Sequence, residues 1–170
     1  MCGSLPRRVS GPKRFNRRAE GMEVELTPVD EAEYPQLVAV WEASVRATHD
    51  FLRDSDREFY RERLPGYFGA VRLTAARELG SGRIVAFLGT AGDGIEMLFV
   101  APDDRGRGLG RRLVEYAVRV LGCRRVEVNE QNGQAVGFYE RMGFRQTGRE
   151  AVDGEGLPYP ILRYEWAERG

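Results

Sequence analysis

Ala101-Pro102-Asp103-Asp104-Arg105-Gly106-Arg107-Gly108-Leu109-Gly110-Arg111-Arg112 is a glycine-rich turn set between two regular elements. Before it, Met97-Leu98-Phe99-Val100 has the apolar continuity of a buried strand. After it, Leu109, Leu113, Ala117 and Leu121 recur at helical spacing. Glycine at every second position of the turn lets backbone approach a ligand with no Cβ in the way. The helix start adds unpaired N–H groups and a positive dipole end, so the segment is built as a diphosphate cradle. Arg105, Arg107, Arg111 and Arg112 add charge for further phosphates. The spacing is not GxGxxG, and no GK[ST] follows, which separates it from dinucleotide folds and P-loops.

Working outward, the chain reads as strand, helices, an antiparallel meander, then alternating strand and helix. Glu23–Thr27 alternates polar and apolar residues as a short strand that Pro28 ends. Asp30 is placed to cap a helix running through Leu37, Val38, Val40, Trp41 and Val45, with Pro35 in its first turn. A second helix is predicted from Ser55, its cap, to Leu64, with Pro65-Gly66 as its stop. Strands follow at 72–78, 83–90 and 95–100, joined by glycine turns. Beyond the cradle helix come a strand at 125–129, a helix with Ala135, Phe138, Tyr139 and Met142 on one face, and strands at 145–152 and 159–166. This order predicts one α+β domain over residues 22–168: a mixed, twisted central sheet of about six to seven strands flanked by about four helices.

Val126-Glu127-Val128-Asn129-Glu130-Gln131-Asn132-Gly133-Gln134-Ala135-Val136-Gly137-Phe138-Tyr139-Glu140-Arg141-Met142-Gly143-Phe144 carries the second distinctive pattern. Together, Arg105-x-x-Gly108-x-Gly110 and this segment resemble the two hallmarks of the GNAT superfamily of acetyl-CoA-dependent N-acetyltransferases. The first is [QR]-x-x-G-x-[GA]; the second is N-x-x-A-x-x-[FL]-Y-E-x-x-G-F, met here at every position from Asn132 onward. The resemblance runs from Met22 to about Glu168.

It implies acetyl-CoA as co-substrate and assigns roles. Backbone groups of Leu98, Phe99 and Val100 would bond the pantetheine arm. Amides from Gly106 to Arg111, with Arg105, would hold the diphosphate, and Asn132 would touch the cofactor. Tyr139 would stand near the sulfur as general acid. The chemistry agrees with that implication. A lysine-like ammonium, with a pKa of about 10.4, must lose a proton, and the leaving thiolate must gain one. Neither cysteine lies in a nucleophile-like segment, so direct attack in a ternary complex is expected. For the base there are three candidates. Glu127 occupies the position used by one branch of the family; Glu96 lies on the preceding strand, and His49 is the single histidine.

The acceptor groove implied by the resemblance lies between 48–68 and 152–159. Asp50, Asp54, Asp56, Glu58, Asp153 and Glu155 could attract a cationic amine there, with plain solvated charge as the alternative, and Trp41, Phe51, Tyr60, Tyr67 and Phe68 could form an aromatic wall, with core packing as the default. A small-molecule amine is the favoured acceptor. The alternatives are a peptide amine, N-terminal or lysine, and a non-catalytic acyl-CoA-binding sensor.

Composition narrows the classes. The formal net charge is zero, which argues against nucleic-acid binding, although residues 1–21 form a basic extension with six cations against Glu20. No apolar run approaches the roughly 20 residues of a membrane span. Two cysteines, Cys2 and Cys123, support neither a disulfide framework nor a metal cluster, and point to a reducing cytoplasm. Edge strands in this fold commonly pair between subunits, which implies a homodimer as one arrangement.

Overall fold

The computed structural model describes residues 23–168; residues 1–22, including the basic extension, lie outside them. The elements are β1 (Val24–Pro28), α1 (Tyr34–Thr48), α2 (Asp54–Gly69), β2 (Arg72–Glu78), β3 (Ile84–Ala91), β4 (Gly94–Val100), α3 (Leu109–Arg119), β5 (Arg125–Asn129), α4 (Gly133–Met142), β6 (Phe144–Glu150) and β7 (Ile161–Trp166). They form a seven-stranded sheet in the order β1-β2-β3-β4-β5-β7-β6. Every pair is antiparallel except β4 and β5. The expected α+β architecture is therefore present.

Two apolar layers cover the sheet. Leu109, Leu113, Val114 and Ala117 of α3 pack with Val85, Leu88 and Tyr139 on one side. Leu37, Val40 and Trp41 of α1 and Leu64 and Phe68 of α2 pack with Phe87 on the other. Coverage on both faces explains why Ile84 to Thr90 is buried without interruption. Phe87 meets Phe68 and Phe99 ring to ring at 5.8 and 5.6 Å. Phe87→Ala is expected to cost about 3–5 kcal/mol, read as a lower denaturant midpoint.

Several boundaries differ from the sequence expectation. α2 starts at Asp54 after Arg53, not with Ser55 as cap, and it passes through Pro65-Gly66 to Gly69. Pro65 lacks one backbone donor, but Leu64 and Phe68, 3% and 1% exposed, anchor the last turn on both sides of it. Pro28 belongs to β1, where an edge strand pairing only with β2 tolerates a missing donor. Asp30, expected to cap α1, instead opens the short 3-10 turn Glu31–Glu33 that leads into it, its amide donating to the Glu33 carboxylate at 2.9 Å. Glu33 also pairs with Arg77 at 2.7 Å, fixing the start of α1 to β2. β7 begins at Ile161, which frees Tyr159 to turn inward toward α2.

Candidate active site

The site begins where the sheet separates. β4 and β5 pair only through Gly94–Arg125 and Ile95–Val126. Beyond that point the strands diverge around a groove of about 830 Å³, walled by β4, β5, α4 and the phosphate turn. The Ala101 N–H donates to the Val85 carbonyl at 2.8 Å, which sets the phase of the β3–β4 ladder. By alternation, Phe99 spends its backbone groups on Phe87, whereas those of Leu98 and Val100 face the groove. Of the three expected backbone contacts, Leu98 and Val100 are thus available, and Phe99 contributes its ring. The register slips by one residue between Gly89–Met97 and Thr90–Ile95, leaving Glu96 as the unpaired bulge residue. A bulge turns a side chain out of its strand's alternation, and the exposed Glu96 lines the groove.

The phosphate turn has the conformation its glycines allow. Gly106 and Gly108 sit at φ +74° and +76°, the left-handed region that other residues avoid. The first paired amide after the turn is that of Arg112, which donates to the Gly108 carbonyl. The amides from Gly106 to Arg111 have no acceptor among the described residues. Six such donors beside Arg105 and Arg111 suit a diphosphate. Arg107 does not line the groove, and its side chain is exposed. Asp104, 3% exposed, accepts both guanidinium nitrogens of Arg83 at 3.0 and 3.3 Å and anchors the turn to the start of β3.

A second cavity of about 540 Å³ lies on the α1–α2 side, with Trp41, Phe51, Tyr60, Tyr67 and Tyr159 among its aromatic walls. Three tyrosine–carboxylate hydrogen bonds tie its walls together. Tyr60 donates to Asp153, Tyr67 to Glu155 and Tyr159 to Asp56. Asp153 also accepts the amides of Glu155 and Leu157, so the β6–β7 loop is pinned across α2. Burial and the Glu155 carboxylate push the Tyr67 hydroxyl up to about 12, and the Tyr159 bond holds Asp56 below its usual range. Of the six carboxylates expected to attract an amine freely, Asp56, Asp153 and Glu155 are here engaged by hydroxyls, and Glu58 stands 3.7 Å from Arg61. Asp54 instead pairs with Arg57 at 2.8 Å. Phe68 follows the default reading and is core, whereas Trp41, Phe51, Tyr60 and Tyr67 line the cavity. The two cavities share His49, Glu96, Met97, Phe99 and Asn129.

Over residues 40–160 the chain matches the family model of the acetyltransferase (GNAT) domain. The chain is a GNAT acetyltransferase. Peptidyl-lysine N-acetyltransferase YjaB of Salmonella typhimurium is 42% identical over 127 residues, spanning 75% of this chain and 87% of that protein. The solution structure of apo YjaB from Escherichia coli matches at a TM-score of 0.80 and 38% identity, over 87% of this chain and all of that one. A PaiA N-acetyltransferase from Thermoplasma acidophilum, in complex with coenzyme A, shares the fold at a TM-score of 0.65 and 18% identity, over 85% and 100% of the two chains.

Within this GNAT acetyltransferase, Tyr139 projects from α4 with 6% exposure and packs edge-on against Phe138 and Phe144. Its hydroxyl has no partner among the described residues, yet it is not sealed off, and the residue lines the groove. Burial raises its pKa, which keeps the proton on oxygen. Asn132 caps α4 by accepting the Ala135 amide at 3.2 Å, at the floor of the same groove. Glu127 reaches the groove but not the second cavity, and stands 3.7 Å from Arg163. Glu96 and His49 reach both. Burial, and then the Arg105 guanidinium, push the His49 imidazole down to about 4 against the opposing pull of Asp50. Cys123 is fully buried with a raised thiol pKa and lines neither cavity. Cys2 lies outside the described residues. Sequence reasoning missed Ser44, Asn129 and Arg141, and named Thr48 only as the edge of the acceptor groove; their proximity to the cofactor groove arises only from folding.

Proposed function

We propose that this enzyme moves the acetyl group of acetyl-CoA onto the ε-amine of a protein lysine by direct attack, with Tyr139 as general acid. The observation that carries this reading is the aromatic cavity that meets the cofactor groove at His49, Glu96, Met97, Phe99 and Asn129. A lysine presents an unbranched four-carbon stem and a charged head. The rings suit the stem, and the exposed Glu96 carboxylate suits the ammonium at the junction. Relatives named peptidyl-lysine N-acetyltransferases at 42% identity support the same acceptor.

The residues present fit acetyl-CoA. Amides 106–111 with Arg105 and Arg111 would hold its diphosphate, and the Leu98 and Val100 backbone would pair with its amide arm. When bound, it supplies the activated acyl group and a thiolate leaving group. Tyr139 gives that sulfur a proton, and a groove-facing N–H of β4 stabilises charge on the carbonyl oxygen. An unbonded, protonated hydroxyl at position 139 weighs against a purely sensing role.

A free amine of small size is the second reading, favoured by the loop pinned over the cavity through Tyr60 and Tyr67. Thiol release from acetyl-CoA, measured with lysine peptides, polyamines, aminoglycosides and amino acids, separates the two. Highest kcat/KM on lysine peptides, with acetyl found on Nζ by mass spectrometry, is the expected result. Turnover confined to small amines overturns the protein-lysine acceptor. The chain contains one lysine, Lys13, so self-acetylation adds a single ε-amine to the background.

A further inference from the structure

A file of hydrogen bonds joins the phosphate turn to the junction of the two cavities. Arg105 donates to Ser44 Oγ at 3.3 Å. The Ser44 carbonyl accepts from Thr48 Oγ1 at 2.8 Å, and Thr48 Oγ1 lies 2.7 Å from His49 Nδ1. The two Thr48 contacts are mutually compatible as hydrogen bonds in one arrangement only. A hydroxyl has one hydrogen, and a carbonyl only accepts. In that arrangement Thr48 gives its hydrogen to Ser44 and accepts from His49, which puts the ring proton on Nδ1. In a neutral imidazole the lone pair then resides on Nε2. Nε2 has no partner among the described residues and is not sealed from the cavities that His49 lines.

We propose that His49 Nε2 accepts the proton of the attacking amine and that Thr48 is the positioning residue fixing the required tautomer. This rests on the acetyl-transfer reading above. As the neutral amine nitrogen bonds to the thioester carbonyl carbon, its surplus proton passes to Nε2. The C–S bond breaks with its electron pair on sulfur, which takes the Tyr139 proton. Solvent returns the proton from imidazolium to tyrosinate, restoring both groups. Burial keeps His49 neutral across the assay range, and by the same token weakens it as a base. Arg105 from the turn and Asp50 after α1 act on its charge, and Glu96, Glu127 and Tyr139 from the groove and Tyr159 from the second cavity line the same space. An anionic diphosphate bound by Arg105 would offset the cation that opposes protonation of the ring.

Because His49 is the single histidine, nitrogen NMR of the full chain reads its tautomer directly. The expected pattern is Nδ1–H with an Nε2 lone pair, weakened in Thr48→Val and restored in Thr48→Ser. His49→Gln is expected to lower kcat by about 10²–10⁴-fold, with the acetyl-CoA KM little changed. Thr48→Val should lower kcat less, and Thr48→Ser should recover it. A wild-type ring protonated on Nε2, or a His49→Gln enzyme with unaltered kcat, overturns the proposal. A wild-type chain inert toward every amine overturns the function reading, and the acceptor role with it, whatever the NMR shows.

Discussion

Tyr139→Phe is expected to lower kcat by about 10²–10⁴-fold while acetyl-CoA binds nearly as before. The ring's packing against Phe138 and Phe144 needs no hydroxyl, and no described residue bonds that oxygen, so the fold loses nothing. What is lost is the proton held over the groove. Without it the sulfur departs as a free thiolate or borrows a proton from water. Steady-state turnover, with acetyl-CoA binding measured by calorimetry, checks both halves. Unaltered kcat removes Tyr139 from the reaction. A large loss of binding instead makes it a cofactor contact.

Gly108→Val is expected to act on the opposite quantity. A side chain at φ +76° costs about 1–2 kcal/mol, and a β-branched one lies at the upper end or beyond. The turn relieves that strain by leaving its conformation, which scatters the amides from Gly106 to Arg111. Acetyl-CoA affinity should fall on the order of tenfold to a hundredfold, at about 1.4 kcal/mol per tenfold. The variant's thermal unfolding in the absence of ligand separates lost binding from a lost fold. Affinity equal to wild type would show that these amides do not hold the diphosphate.

The cradle and the Tyr139 segment were legible in the sequence because their chemistry is local. Strand, turn and helix start are contiguous between Met97 and Arg112, and Asn132 to Phe144 is one cap and one helix. The acceptor cavity was not legible for the converse reason. Tyr60 finds Asp153 across 93 residues, Tyr67 finds Glu155 across 88, and Tyr159 finds Asp56 across 103. No periodicity links such pairs, so the same carboxylates read as free charge and the same rings as wall or core. Pro65 misled for a related reason. Its local cost is real, but burial of Leu64 and Phe68 outweighs it, and burial is decided by distant chain. The file from Arg105 to His49 shares this property, since Ser44 and Arg105 stand 61 positions apart.

The separation of β4 from β5 also bears on hydrogen exchange. Among the described residues, two residue pairs form the ladder between the four-stranded portion β1–β4 and the three-stranded portion β5–β7. Past Ile95–Val126 the facing edges of β4 and β5 share no ladder bonds, so their backbone groups there are the least protected of the sheet's interior. A molecule lodged between these edges covers those groups. Amide exchange along Leu98–Val100 should then slow far more on coenzyme addition than exchange in β3, which is already clamped on both edges.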